Sequence, residues 1–270
     1  MEAITLGPLV LSLSRLPGLV ALIILLVSSE LLNKRYPGLA RWGWLTALAA
    51  TLGSRLVYAA GTPSAYLKEP WTLLYFWQPG FSVWGAVLSA TIFTGLYLYK
   101  KPQLVIRGGI NLGIASLVGL ALLLLTPGNQ FTSEALPSQA FTKLAGEEVL
   151  LTEFQGKPLV VNMWATWCPP CRREMPMLES FEDDDRVQLI MINQGESPVA
   201  VDQFLRSQNL SFSAVLIDIH QKAGRIFRAP GLPATVFYNA KGEQVDRHFG
   251  ELSRAQIERF IQQQAAVLDK

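Results

Sequence analysis

The sequence predicts a multi-pass α-helical membrane region of about four spans, followed by an α/β domain with a mixed central sheet. Three observations carry this. The first 130 residues hold long apolar runs and no cysteine. Charge changes sign along the chain: residues 1–130 carry nine Lys/Arg and three Asp/Glu, a balance of +6, whereas residues 131–270 carry fourteen and eighteen, a balance of −4. The second half alternates short β-rich runs with helical patterns and contains both cysteines of the chain, Cys168 and Cys171. The expected organisation is a membrane region at 1–126, a linker at 127–138 and an α/β domain at 139–270.

The apolar runs lie at 16–32, 42–60, 82–99 and 109–125. Each approaches the length that crosses a bilayer as a helix, roughly 17–25 residues. The first reads as a retained span rather than a cleaved leader, because it lacks an obvious small-residue cleavage site and is followed by further spans. Lys34, Arg35 and Arg41 fall between the first and second runs, and Lys100, Lys101 and Arg107 between the third and fourth. In the middle loop Lys68 is balanced by Glu69. A positive-inside bias then puts the first and third loops in the cytoplasm and both termini outside. Tyr66, Trp71, Tyr75, Phe76, Trp77 and Phe81 crowd the middle loop, as expected of a short amphipathic arm at the membrane–water interface. The basic residues flank apolar runs instead of clustering, so a lipid bilayer is the expected partner and nucleic acid is not. Arg55 lies inside the second run, where a charge is expensive; it either meets a lipid phosphate or snorkels to the interface.

In the second half, Thr126-Pro127-Gly128-Asn129 ends the last span and opens a polar linker. Strands are expected at 141–144 and 149–151, joined at Gly146-Glu147, and a fully buried central strand at 159–164. A helix at 169–181 contains Pro176, and the acidic run 182–185 closes it. A strand at 187–193, a helix at 199–208, a strand at 214–217 and a short helix at 221–227 follow. Asn239-Ala240-Lys241-Gly242 is a hairpin signal between strands at 234–238 and 245–249. Ser253-Arg254-Ala255-Gln256 is a capping-box start for a last helix that runs to about 268.

The chemistry points to Cys168-Pro169-Pro170-Cys171. An apolar strand runs into a turn that opens a helix, so Cys168 sits at a helix N-terminus, where free N–H groups and the helix dipole favour a thiolate. Cys171, one turn on, can resolve a mixed disulfide. Two prolines suit the first helical turn, where a missing N–H costs little. A structural disulfide across so short a loop would constrain little of the unfolded chain. Zinc normally takes four ligands; no second cysteine pair exists, and His220 and His248 lack ligand spacing to the first. Redox chemistry is therefore favoured, with no metal and no cofactor beyond the Cys168–Cys171 disulfide itself.

Gly156-Lys157-Pro158 followed by the run from Val161 to Pro176, Val-Asn-Met-Trp-Ala-Thr-Trp-Cys-Pro-Pro-Cys-Arg-Arg-Glu-Met-Pro, resembles the thioredoxin-like TlpA/ResA/DsbE group of periplasmic disulfide reductases. The resemblance covers about 140–268 and implies a thioredoxin-like fold. Gly231-Leu232-Pro233-Ala234-Thr235 looks like the family's cis-proline loop, and Pro176 matches its kinking proline. The resemblance implies Cys168 as nucleophile and Cys171 as resolving thiol. Trp167 is expected as a contact surface beside Cys168, and Leu232 as the backbone edge that pairs with an incoming polypeptide. Thioredoxins carry a buried Asp six residues before the first cysteine, where this chain has Asn162. Glu174, three residues after Cys171, matches the acidic residue of the ResA-type motif and is expected to move a proton; the alternative is an exposed helix charge. Arg172 and Arg173 are expected to flank the site and help hold a thiolate.

The membrane half is similar to the N-terminal part of prolipoprotein diacylglyceryl transferase, at Leu6-Gly7-Pro8, Gly53-Ser54-Arg55-Leu56-Val57-Tyr58, Tyr66-Leu67-Lys68-Glu69-Pro70 and the run from Trp77 to Gly85. Where that family has His-Gly-Gly, this chain has Trp84-Gly85-Ala86. Indole cannot replace imidazole in proton transfer, so lipid transfer is expected to be lost. Without cysteines the half cannot relay electrons by thiol exchange. These readings combine into a disulfide reductase of the bacterial inner membrane with its C-terminal domain in the periplasm. Protein disulfides would be its substrates and a membrane thiol protein its electron donor. Oxidase or isomerase activity, and a non-catalytic docking protein, stand as alternatives.

Overall fold

A computed structural model of the chain describes residues 3–6, 9–12, 16–76, 78–125 and 134–268. Two compact units emerge, one helical and one built on a sheet. The chain begins with a two-stranded sheet, β1 (Ala3–Leu6) and β2 (Leu9–Ser12), which the apolar pattern did not announce.

The helical unit follows the four apolar runs. They become α1 (Leu16–Asn33), α2 (Leu39–Ala60), α4 (Val83–Tyr99) and α5 (Val105–Leu125). The middle loop folds as α3 (Pro63–Lys68) and a 3₁₀ turn (Pro70–Leu74). Of its aromatic residues Trp77 lies outside the described residues, as do Gly7 and Pro8. Two helical segments, Leu16–Asn33 and Pro102–Leu125, are long and apolar enough to cross a membrane, and Val83–Tyr99 is apolar but shorter. Small residues let the helices approach closely. A Cβ on Gly85 would lie 2.8 Å from the Gly53 carbonyl oxygen and 3.0 Å from the Ser54 Cα. Ser82 caps α4 by accepting from Gly85 N–H at 3.2 Å, while its own carbonyl accepts from Ser54 Oγ at 2.9 Å. Trp84, in the place of the expected histidine, is 82% exposed.

Arg55 is neither a lipid contact nor a snorkelling cation. It is 3% exposed, and its five N–H groups are taken up by backbone carbonyls. Nε donates to Leu73 (3.2 Å), Nη1 to Pro79 (3.2 Å) and Gly80 (3.1 Å), and Nη2 to Thr72 (2.7 Å) and Tyr75 (3.2 Å). Tyr66 and Phe81 cover the guanidinium at 5.8 and 5.3 Å. The fork geometry that suits a phosphate is closed around the 72–80 segment instead. Gly80, at φ 140°, leaves the room this needs, because a Cβ there would come within 2.3 Å of Nη1.

The second unit is a seven-stranded mixed sheet in the order β4-β3-β7-β6-β5-β8-β9. Its strands are β3 (Ala140–Lys143), β4 (Glu148–Leu150), β5 (Leu159–Trp164), β6 (Gln188–Gln194), β7 (Val215–Asp218), β8 (Ala234–Tyr238) and β9 (Gln244–Phe249). β5, β6 and β7 run parallel, β8 is antiparallel to β5, and β9 is antiparallel to β8. The helices are α6 (Pro169–Glu179), α7 (Pro198–Ser207), α8 (Lys222–Ile226) and α9 (Arg254–Leu268). Gln256 Oε1 accepts from Ser253 N–H at 3.0 Å, the back-reaching half of the capping box. Each face of the sheet has its own core. Val160 and Trp164 of β5 pack with Met175, Leu178 and Phe260, whereas Leu159, Val161 and Met163 join Ile190, Ile192 and Val236. The row Val160–Asn162–Trp164 thus carries one polar residue in an apolar face.

The linker expected at 127–138 is shorter than its composition suggested. Its part up to residue 133 lies outside the described residues, but Glu134–Leu136 dock on the last hairpin. Leu136 N–H donates to the Gly242 carbonyl (2.7 Å), and Gln244 N–H to that of Glu134 (2.9 Å). Leu136 is 3% exposed and joins the apolar core that holds Phe141, Val149 and Leu159, which extends the fold upstream.

Candidate active site

β5 delivers the chain to the site. Ala165 and Thr166 turn out of the strand, Trp167 projects with 65% exposure, and Cys168 becomes the N-cap of α6. Pro169 and Pro170 have no N–H, so the first amide hydrogen of the helix belongs to Cys171. It points at Cys168 Sγ, 3.3 Å away. That aims the positive end of α6 at one sulfur. The two cysteines are joined in a disulfide and are themselves covered, Cys168 at 3% exposure and Cys171 at 0%. The contact surface around them is therefore Trp167 rather than sulfur.

Glu174 is buried, not an exposed helix charge. One turn after Cys171 on the inward face of α6, it is 2% exposed. Its Oε1 accepts from Asn162 Nδ2 at 2.8 Å and its Oε2 from Leu252 N–H at 2.6 Å. Burial raises its proton affinity more than these two bonds and nearby Arg173 lower it, and the carboxyl is pushed up to about 8. Asn162, fully buried on β5, also donates to Thr235 Oγ1 at 3.0 Å.

The Leu232–Pro233 peptide bond is cis, as the resemblance implies. Leu232 is half-buried and packs against both cores. The Pro233 carbonyl accepts from Gly250 N–H at 2.9 Å. Residues 250–252 therefore hold two parts of the site at once, the proline loop through Gly250 and Glu174 through Leu252.

With the disulfide formed, the arginines meet other partners. Arg173 makes a two-pronged ion pair with Glu251, Nε at 2.9 Å and Nη2 at 2.6 Å, and Arg172 lies over the Phe204 ring at 5.6 Å. A residue the sequence reading missed is Glu196. Its carboxylate accepts from Thr166 N–H (2.8 Å), from Thr166 Oγ1 and from Asn193 Nδ2 (2.7 Å), and so clamps the turn that presents Trp167 and Cys168. Only the fold reveals it: β5 and β6 are parallel with Trp164 opposite Asn193, so the loops leaving them emerge side by side. Arg55 belongs to the helical unit.

A family model described as Redoxin matches residues 131–259, and one described as prolipoprotein diacylglyceryl transferase matches residues 13–161. The two overlap at 131–161, where the structure places β3, β4 and β5, so this stretch is part of the sheet-based unit. The chain is 34% identical over 125 residues to the thiol-disulfide oxidoreductase ResA of Halalkalibacterium halodurans, covering 44% of this chain and 69% of the relative. It is 30% identical to ResA of Bacillus thuringiensis subsp. konkukian, covering 60% of this chain and 96% of the relative. Among solved structures, a secreted Mycobacterium tuberculosis disulfide oxidoreductase homologous to E. coli DsbE is 27% identical, covering 47% of this chain and 96% of that one, with a TM-score of 0.42. The chain belongs to the ResA-type thiol-disulfide oxidoreductases through its C-terminal half and to the prolipoprotein diacylglyceryl transferase family through its helical N-terminal half.

Proposed function

We propose that this thiol-disulfide oxidoreductase works as a membrane-anchored disulfide reductase on the outer face of the bacterial inner membrane. Helices α1, α2, α4 and α5 are its four spans, residues 1–126 its membrane domain and 139–270 its periplasmic domain. The alternation of basic loops at 34–41 and 100–107 with a charge-balanced loop at 68–69 supports this orientation. A membrane thiol protein supplies the electrons, and protein disulfides are the substrates. The helical half serves as anchor and donor-docking surface; Trp84 in the place of histidine and the closure of Arg55 on backbone carbonyls argue against lipid transfer.

The observation that carries the reading is a buried carboxyl, Glu174, one helical turn from the buried resolving thiol. In the reduced enzyme the Cys168 thiolate, held by the Cys171 N–H, attacks a substrate disulfide. A mixed disulfide forms, and the first substrate sulfur leaves as thiolate and takes up a proton. Ionised Glu174 accepts the proton of the Cys171 thiol. The resulting thiolate attacks Cys168 Sγ, the second substrate sulfur leaves, and the Cys168–Cys171 disulfide forms. The second substrate thiolate takes up the proton that Glu174 holds, which returns Glu174 to its ionised form, and the first draws its proton from solvent, so the enzyme supplies two electrons and the one proton of Cys171. Trp167, Leu232 and Pro233 form the surface on which the substrate lies.

The test uses the purified full chain in detergent with insulin as substrate and a chemical reductant as donor. Cys168→Ala is expected to abolish turnover, and Cys171→Ala to accumulate a mixed disulfide through Cys168. In cells, trapping of free thiols should find the pair mainly reduced. A pair found mainly oxidised in cells would reverse the direction, and accumulation by Cys168→Ala instead would reverse the thiol assignment.

A further inference from the structure

Glu174 must exist in two protonation states if it is to take a proton from Cys171, and a buried site has to accommodate both. The ionised state is provided for by Asn162 Nδ2 and Leu252 N–H, each donating to one carboxylate oxygen. The neutral state adds an O–H that needs an acceptor. Next to it lies a buried acceptor without a donor among the described residues: Asn162 Oδ1, on a residue at 0% exposure. Leaving such an atom unmatched in an apolar face is unfavourable unless it is used in another state of the site.

The two ends of the amide are symmetric in what they can do here. As placed, Nδ2 makes two bonds, to Glu174 Oε1 and Thr235 Oγ1, and Oδ1 makes none. Turned by half a rotation about its terminal bond, the amide would offer Oδ1 to the same two neighbours. The O–H of neutral Glu174 and the hydroxyl of Thr235, which can donate as readily as accept, would both point at it. Two bonds are made either way, and Thr235 fits both arrangements because its hydroxyl hydrogen rotates. An aspartate at this position could not do this at constant charge, and an apolar residue could do neither half.

We propose that Asn162 is a positioning residue whose side-chain amide turns between two settings, Nδ2 toward ionised Glu174 and Oδ1 toward neutral Glu174, so that one neutral group serves both states of the proton carrier. The amide carries no proton itself. The proton passes from the Cys171 sulfur to a Glu174 oxygen, and Asn162 exchanges a donor for an acceptor as it does so. Other charged or titratable groups face Glu174. Arg173 is on its own helix, Glu251 is in the turn before α9, and the two cysteines lie one to two turns back. On β9, His248 stands opposite Thr235 in the strand register with its Nε2 at 3.2 Å from the Glu251 carbonyl oxygen. Asn162 differs from all of them in touching the carboxyl without bearing charge.

This inference rests on the reading of Glu174 as proton carrier, and the experiment separates the two. The full chain is reduced in detergent, with glutamate ¹³C-labelled at the carboxyl and asparagine ¹⁵N-labelled at the amide. The Glu174 signal is assigned by its loss in Glu174→Gln. Across the Glu174 titration the Asn162 Nδ2 resonance should shift with the same midpoint, and in Asn162→Leu the Glu174 midpoint should move by about one pH unit, a tenfold change in proton affinity. Asn162→Asp, which keeps the shape, should titrate in two steps whose upper midpoint lies above that of the parent. An Asn162 resonance indifferent to Glu174, or midpoints unchanged in both folded variants, overturns the proposal. If Glu174→Gln keeps the parent pH–rate profile while Asn162 and Glu174 still titrate together, the proton-carrier reading fails and the amide pairing stands.

Discussion

Leu252 donates its backbone N–H to Glu174 Oε2 at 2.6 Å, tying the active-site helix to the turn that opens the last helix, 78 positions on. Two residues earlier Gly250 binds the Pro233 carbonyl, and one residue earlier Glu251 grips Arg173. A three-residue turn thus fixes the carboxyl, the proline loop and the outer face of α6. Three predictions follow from named contacts of this kind.

The buried carboxyl makes stability depend on pH. Glu174 sits near 8 in the folded chain against an ordinary value of 4.5. The folded state then binds more protons than the unfolded state between these values, so its stabilising contribution is complete below about 4.5 and is lost as pH rises through about 8. The slope inside this window should approach about 1.4 kcal/mol per pH unit, and Glu174→Gln should flatten it. Denaturant unfolding of the oxidised full chain in detergent, from pH 5 to 9 (on the order of one transition per pH unit sampled), measures both slopes; a Gln variant as pH-dependent as the parent would refute the assignment.

Removing the guanidinium takes a donor from five carbonyls, of which those of Thr72 and Tyr75 still accept from the Tyr75 and Gln78 N–H groups. Arg55→Met should destabilise the helical unit by several kcal/mol, on the order of 1 for each orphaned carbonyl. Arg55→Lys, with three donors in a different geometry, should recover only part of this. Gly80→Ala should lower stability too, because its Cβ would collide with Nη1 at 2.3 Å. Thermal unfolding of the full chain in detergent reports all three, and an Arg55→Met midpoint equal to the parent's would show that the 72–80 segment holds itself in place.

Glu196 clamps the turn before the cysteines through Thr166 and Asn193. Glu196→Ala should lose about 2–4 kcal/mol locally, since bonds to a charged acceptor are the stronger kind. Amide hydrogen exchange at Thr166 should accelerate, and insulin reduction should slow through a raised KM more than a lowered kcat. Unchanged exchange at Thr166 would mean that the turn is held by its own backbone.

Much of the second unit was readable because its strands are short, apolar and separated by strong turn signals. β5 and β8 fall where the sequence places them, and Cys168 and Cys171 stand at the start of α6, joined in a disulfide. What was hidden depends on contacts distant in sequence. Glu196 looks like an ordinary loop acid until the parallel register of β5 and β6 sets it beside Thr166. Arg173 looks like a thiolate partner until Glu251, in the turn before α9, takes it. Arg55 was conspicuous as a charge in an apolar run, but its ligands are main-chain carbonyls, which carry no residue-type signal at all. Leu136 was assigned to a linker because periodicity cannot show a single residue docking on a hairpin.

The covering of the two sulfurs has a consequence for the company this protein keeps. With Cys168 at 3% exposure and Trp167 at 65%, a small thiol diffusing in bulk solvent meets indole far more often than sulfur. Exchange requires in-line approach to a sulfur, so a partner must first settle on the surface that frames it. Such a disulfide is expected to exchange more slowly with a small thiol than with a partner docked beside Trp167. Its partners are then selected by their fit to the surface around Trp167 before any sulfur is reached.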